Sequence, residues 1–161
     1  MSDSPAVRPA LALAGFRGAT FLVAGVSTLF TTPSIPTWYA GLNKPSFNPP
    51  NDIFAPVWTT LYILMAIAAW LVWKQPPSAE RSRGLQLFWI QLALNFAWSL
   101  IFFQLHLIGF ALAGILMLWL AILATCLAFF GVSKPAGVLL LPYLAWVSFA
   151  SLLNFEIWRL N

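Results

Sequence analysis

Three runs of this sequence set amide, phenol and indole side chains at helical spacing among apolar residues. Phe88, Gln91, Asn95, Trp98 and Phe102 are three or four residues apart, which puts all five on one face of a helix. Trp58, Tyr62, Met65 and Ala69 do the same in a second run, and Tyr143, Trp146, Ala150 and Asn154 in a third. An amide donates and accepts hydrogen bonds, a phenol does both, and an indole only donates. Faces of that composition can wall a pocket for a flat, mostly apolar molecule. They can equally bond to one another across helices, and for Gln91 and Asn95 the two readings stand even. Trp58, Trp98 and Trp146 occupy comparable positions and point to a shared pocket. The small Ala150 beside Trp146 leaves space for a ligand or for a close helix neighbour.

Other chemistry is sparse. The single cysteine, Cys126, lies in an apolar run and rules out an intrachain disulfide, and no cluster of metal ligands is visible. No nucleophile has a histidine base nearby, no Gly-rich phosphate loop occurs, and no acid sits centrally in an apolar run. The one histidine, His106, reads mainly as a turn residue, with ligation of the metal of a bound tetrapyrrole as the lesser reading. These absences favour binding over ordinary catalysis.

The elements that must position these residues are membrane spans. Of 161 residues, 61% are hydrophobic and 7% charged, with a mean hydropathy of +0.85. A soluble domain carries about 25% charged residues. A spanning helix takes about 20 apolar residues, and five such runs are present, at about 11–31, 53–73, 85–104, 107–130 and 136–157. They do not alternate apolar and polar residues, which excludes a β-barrel and leaves an all-α membrane protein, a five-helix bundle. The chain reads as a single domain over 1–161, without an internal repeat. Its first residues, MSDSPAVRPA, do not read as a signal peptide.

The connections differ. Residues 32–52 carry Pro33, Pro36, Pro45, Pro49 and Pro50 among aromatics, the composition of a lid over a pocket mouth. KQPPSAERSR is a polar turn, and Gln104 to Leu107 is so short that the third and fourth helices must form a tight hairpin. Asp52 is expected to cap the second helix, Pro142 to bend the first turns of the fifth, and Glu156 to pair with Arg159. Trp70, Trp73 and Trp158 lie near span ends, as an interfacial belt would place them, and Trp119 is open to lipid or a partner. The net charge of +4 does not form a nucleic-acid-binding stripe. Its cations sit in connections, with Arg8, Arg17, Lys74, Arg81, Arg83 and Lys134 on one side and Lys44 and Arg159 on the other. That asymmetry puts the first side in the cytoplasm if the membrane is an inner one.

The blocks WYAGLNKPSFNPP in the first connection, PVWTTLY opening the second helix, QLALNFAWSLIFF in the third and LPYLAWVSFASLLNFEIWRLN at the end carry a resemblance. Over nearly the whole chain after Leu11 the sequence resembles the TspO/MBR family, which comprises the tryptophan-rich sensory proteins of bacteria and the mitochondrial translocator protein, or peripheral-type benzodiazepine receptor. The resemblance implies five spans around a pocket covered by the first connection, in a homodimer. It implies no required cofactor. Porphyrins such as protoporphyrin IX or haem would enter as ligands, alongside sterols and synthetic isoquinoline carboxamides or benzodiazepines. The implied function is a receptor or sensor modulating tetrapyrrole metabolism. Light-dependent breakdown of protoporphyrin and transport of porphyrin or cholesterol are the alternatives.

Carried onto this chain, the implied ligand-binding residues are Trp38, Tyr39, Phe47, Trp58, Tyr62, Asn95, Trp98, Phe110, Tyr143, Trp146 and Ala150. Trp58 and Trp146 match the tryptophans implicated in porphyrin breakdown, and Phe47 and Phe110 stand where relatives have tryptophan. The sterol motif survives only as Leu153, Phe155 and Arg159, without its tyrosine. Lys44 and Arg17 are the cations placed to meet ligand carboxylates. Gly109 and Ala113 offer a small-residue pair for close helix approach. Family resemblance points to the outer membrane of a bacterial envelope, whereas strongly apolar helices ordinarily insert into the inner one.

Overall fold

The structure, a computed structural model, describes residues 7–161; the reading of MSDSPA as no part of a signal peptide lies outside them. Five helices follow in order: α1 Val7–Ser34, α2 Phe54–Trp73, α3 Ala79–Ser99, α4 Ile108–Val132 and α5 Lys134–Leu160. All five are long and apolar enough to cross a bilayer. Around the bundle the order is α1, α2, α5, α4, α3, with α4 packed broadly on both α3 and α5.

The helix starts follow local chemistry. Ser78 caps α3 by accepting a hydrogen bond from the Arg81 N–H at 3.1 Å, so α3 begins at Ala79, six residues before the apolar run. Lys134 and Pro135 open α5, a position where proline loses no hydrogen bond. α5 then runs unbroken through Pro142. Asp52 does not cap α2. Asn51–Ile53 forms a 3-10 turn, closed by Ile53 N–H donating to the Pro50 carbonyl at 3.1 Å, which leads straight into α2. Helical backbone thus begins ahead of Asp52, and the Ile53 cap position has no side-chain bond.

α3 ends in a π turn, Leu100–Gln104, in which Leu105 N–H reaches the Leu100 carbonyl at 3.0 Å. His106 follows with φ 58°, the left-handed conformation that ends many helices and usually falls to glycine. This closes the short α3–α4 hairpin.

Close packing depends on small residues. A Cβ on Gly137 of α5 would overlap the Phe130 ring of α4. Gly109 of α4 lies under the Trp158 indole, so its smallness serves a contact within this chain. Trp119 donates to Ser148 at 2.7 Å, again within the chain. At one end of the bundle, Lys74 lies 4.0 Å over the Trp70 ring and Arg81 5.8 Å over Trp73, in keeping with an interfacial position.

Candidate functional site

A cavity of about 430 Å³ lies between α1, α2, α3, α5 and the first connection; α4 contributes nothing to its wall. Trp58 and Tyr62 reach it from α2, Trp98 from α3, Trp146 and Ala150 from α5, and Tyr39 from the connection above. Helical spacing on three separate helices thus converges on one space. The π turn contributes too. Phe102 and Phe103 from it line the wall, and Trp98 and Phe102 stack at 5.6 Å. No charged side chain lines the cavity.

Behind this wall runs a hydrogen-bonded chain. Tyr62 donates to Asn95 Oδ1 at 2.7 Å, Asn95 Nδ2 donates to the Tyr143 hydroxyl at 3.0 Å, and Tyr143 donates to Gln91 Oε1 at 2.9 Å. Asn95, Gln91 and Tyr143 are buried and lie outside the cavity lining. Of the two readings of Gln91 and Asn95, the interhelical one describes them: they tie α2, α3 and α5 together. Trp98 is held likewise, donating to Asn154 Oδ1 at 3.1 Å, while Asn154 donates to the Ile108 carbonyl at 3.1 Å.

Other expected residues fall elsewhere. Trp38 supports the lid from behind, packed edge-on against Phe102 at 5.4 Å and face-to-face with His106 at 4.1 Å. Phe47 is exposed and rests near Phe149. Phe110 is 72% exposed on α4 and faces away from the cavity, because α4 packs on α3 and α5 behind it. Leu153 lines the cavity, Phe155 points outward, and Arg159 pairs with Glu156 at 2.6 Å, so the sterol-motif remnant does not form one surface. Among the described residues no three histidine, cysteine or acidic side chains gather as metal ligands, and His106 stands apart from the cavity.

The lid is fastened. The Lys44 ammonium donates to the carbonyls of Tyr39 at 2.7 Å, Leu42 at 2.9 Å and Ala40 at 3.3 Å. Its three protons are used, so it does not reach for a ligand carboxylate. Arg17 is exposed on α1 and lies outside the cavity lining as well. Tyr39 donates to Asn48 Oδ1 at 2.8 Å, and burial, partly offset by that bond, pushes its phenol up to about 12. Asn43 and Asn161 exchange bonds at 3.0 Å in each direction, tying the connection to the end of α5.

The α1 wall is what the sequence reading missed. Ser27, Thr28, Thr31 and Thr32 all line the cavity. Their signal was the run STLFTT, hydroxyls crowded into one turn and a half of an otherwise apolar span.

The TspO/MBR family model matches residues 16–159. The tryptophan-rich protein TspO of Chlorobaculum tepidum is 47% identical over 152 residues, 91% of this chain and 88% of that protein. The human translocator protein is 42% identical over 149 residues, covering 91% and 88%. The tryptophan-rich sensory protein of Cereibacter sphaeroides is 44% identical over 124 residues, 77% of each chain. A family match over most of the sequence, these relatives and five spanning helices lead to one conclusion: the chain belongs to the TspO/MBR family and is an integral, multi-pass membrane protein.

Proposed function

We propose that the protein is a membrane receptor or sensor of the cell envelope that binds porphyrins, protoporphyrin IX or haem, within the bundle, with sterols as a second ligand class and a homodimer as its working form. One observation carries this reading: Trp58, Trp98 and Trp146 share a single cavity with Tyr62 and Phe102. Aromatic faces suit a flat, apolar ring. The volume of about 430 Å³ is within the range of small-molecule sites. The cavity margin includes exposed residues of α1 and α2, Thr28 and Thr59 among them, so a larger disc can protrude from it. The name of the Cereibacter relative, a sensory protein, agrees with the sensor reading.

Light-dependent porphyrin breakdown is the second reading. It is favoured by Trp58 and Trp146 both lining the cavity, where a bound ring would lie against two oxidisable indoles.

Titration of purified protein with protoporphyrin IX tests both, following tryptophan quenching in the dark and porphyrin absorbance in light. Saturable quenching with an unchanged spectrum in light supports the receptor. Loss of the porphyrin bands, abolished in Trp146→Phe with binding retained, supports the enzyme. Failure to saturate overturns the porphyrin assignment and brings sterols forward.

A further inference from the structure

Charge is divided unequally between the two ends of the bundle. Among the described residues, Arg8, Lys74, Arg81, Arg83 and Lys134 lie where α1, α3 and α5 begin and α2 ends, against Glu80 alone. At the other end Lys44 and Arg159 are matched by Asp52 and Glu156. The one ion pair among the described residues, Arg159–Glu156, belongs to that balanced end. At the cationic end Arg81 donates to the Gln75 carbonyl at 3.0 Å, and Lys74 and Arg81 rest over the Trp70 and Trp73 rings. Those contacts hold the side chains in place without neutralising them.

Topology accounts for cations in the connections, but not for Arg17. This residue lies within the first span, eight residues beyond Pro9, whose carbonyl accepts from the Trp70 indole at 2.9 Å. Eight residues of helix measure about 12 Å. Arg17 is exposed there, and no acid among the described residues pairs with it. A cation open to lipid at such a depth is costly and points to a partner. Helix side chains lean toward the N-terminus, which in α1 is the cationic end. Ala10 and Ala14, seven and three residues back, are small and exposed, so the way in that direction is open. A long arginine extends along it until its guanidinium meets polar groups. At the boundary between acyl chains and headgroups the anion available is a lipid phosphate, which suits the guanidinium fork.

We infer that the start of α1 and the end of α2 form a binding site for an anionic phospholipid, with Arg17 taking the phosphate from the bilayer side and Lys74 supplying positive charge from the end of the bundle. Lys74 belongs to this site because Trp70, the ring it lies over, is bonded to Pro9 of α1. A zwitterionic headgroup brings its own cation into this positive surrounding and gains less from it. The site lies outside the cavity lining and does not depend on what the cavity holds.

Native mass spectrometry of the full chain, released from detergent micelles, tests this with two lipids of identical chains. Dioleoyl phosphatidylglycerol carries a net negative charge and dioleoyl phosphatidylcholine none. The first phosphatidylglycerol is expected to bind the wild-type protein about five- to twentyfold more tightly than the first phosphatidylcholine. Arg17→Gln should weaken phosphatidylglycerol about fivefold, the factor that one cation near an anionic surface provides, and leave phosphatidylcholine within about twofold. Arg17→Lys keeps the charge without the fork and should fall between wild type and Arg17→Gln. In solution, added phosphatidylglycerol should raise the melting temperature of the wild type more than phosphatidylcholine does, and Arg17→Gln should lose that difference. Melting temperatures without added lipid establish that the variants are folded. Equal affinity of the wild type for the two lipids overturns the inference. A preference for phosphatidylglycerol kept in full by Arg17→Gln also overturns it, because the cations of the connections would then suffice.

Discussion

Trp38 and His106 lie face to face, with ring centroids 4.1 Å apart and planes 16° from parallel. Trp38 belongs to the lid and His106 to the α3–α4 turn, so one stack joins the cavity's cover to the hairpin beneath it. His106 holds φ 58°, which costs a non-glycine residue about 1–2 kcal/mol. Aromatic stacking contributes about 0.5–1.5 kcal/mol. His106→Ala keeps the backbone cost and loses the stack, whereas His106→Gly loses both. The melting temperature should therefore fall in the order wild type or His106→Gly, then His106→Ala. Amide exchange across residues 36–48 should quicken in both variants, and unchanged exchange would show that the stack does not hold the lid.

Asn95 bridges two buried phenols, those of Tyr62 and Tyr143. Asn95→Ala leaves both without their amide partner, and the expected destabilisation is about 1–3 kcal/mol. Asn95→Asp keeps the acceptor for Tyr62 but removes the amide donor and buries a carboxyl, so it should also destabilise. Because Asn95 lies behind the cavity wall, the loss should appear in thermal unfolding before it appears in ligand affinity. A variant with wild-type stability and abolished binding would place Asn95 in direct contact with ligand instead.

Gly137 and Gly131 make a controlled pair near the α4–α5 junction. A methyl at Gly137 meets the Phe130 ring, and one at Gly131 meets open space. Gly137→Ala should destabilise by about 1–3 kcal/mol through overpacking. Gly131→Ala should be neutral or gain up to about 1 kcal/mol from helix propensity. Equal melting temperatures for the two variants would mean that the Phe130 contact is not tight.

The buried phenol of Tyr39 makes the lid sensitive to alkali. Its pKa in the folded protein is about 12, against about 10 in an unfolded chain. Between those values the unfolded state has lost a proton that the folded state keeps, so stability falls as pH rises. The contribution is complete below pH about 10 and disappears by about 12. Melting curves of wild type should therefore drop more steeply than those of Tyr39→Phe across that window and run parallel to them from pH 7 to 9. Parallel curves at all pH values would rule out a buried phenol at this position. Tyr62 and Tyr143 are present in both proteins and cancel in the comparison.

What the sequence determined by itself was local or additive. Apolar length set five spans, because a bilayer demands about 20 residues of each. Steps of three and four put Trp58 with Tyr62 and Phe88 with Phe102 on common faces, and those faces are turned inward. The Glu156–Arg159 pair, three residues apart, also follows from helical geometry alone. The tertiary structure decided which inward-facing residue is wall and which is support, since each helix residue turns the side chain by about 100° and depth depends on the neighbouring helix. Tyr62 thereby lines the cavity, while Asn95 and Tyr143 bond behind it. Phe110 shares its helix with the buried Ala111 but points outward, because α4 packs mainly on α3 and α5 and leaves its other face uncovered. Lys44 reads in sequence as a free cation, and only the folded turn brings three carbonyls to its ammonium. Ser27 reads as one hydroxyl among several, and only the packed bundle leaves its Oγ buried without a partner.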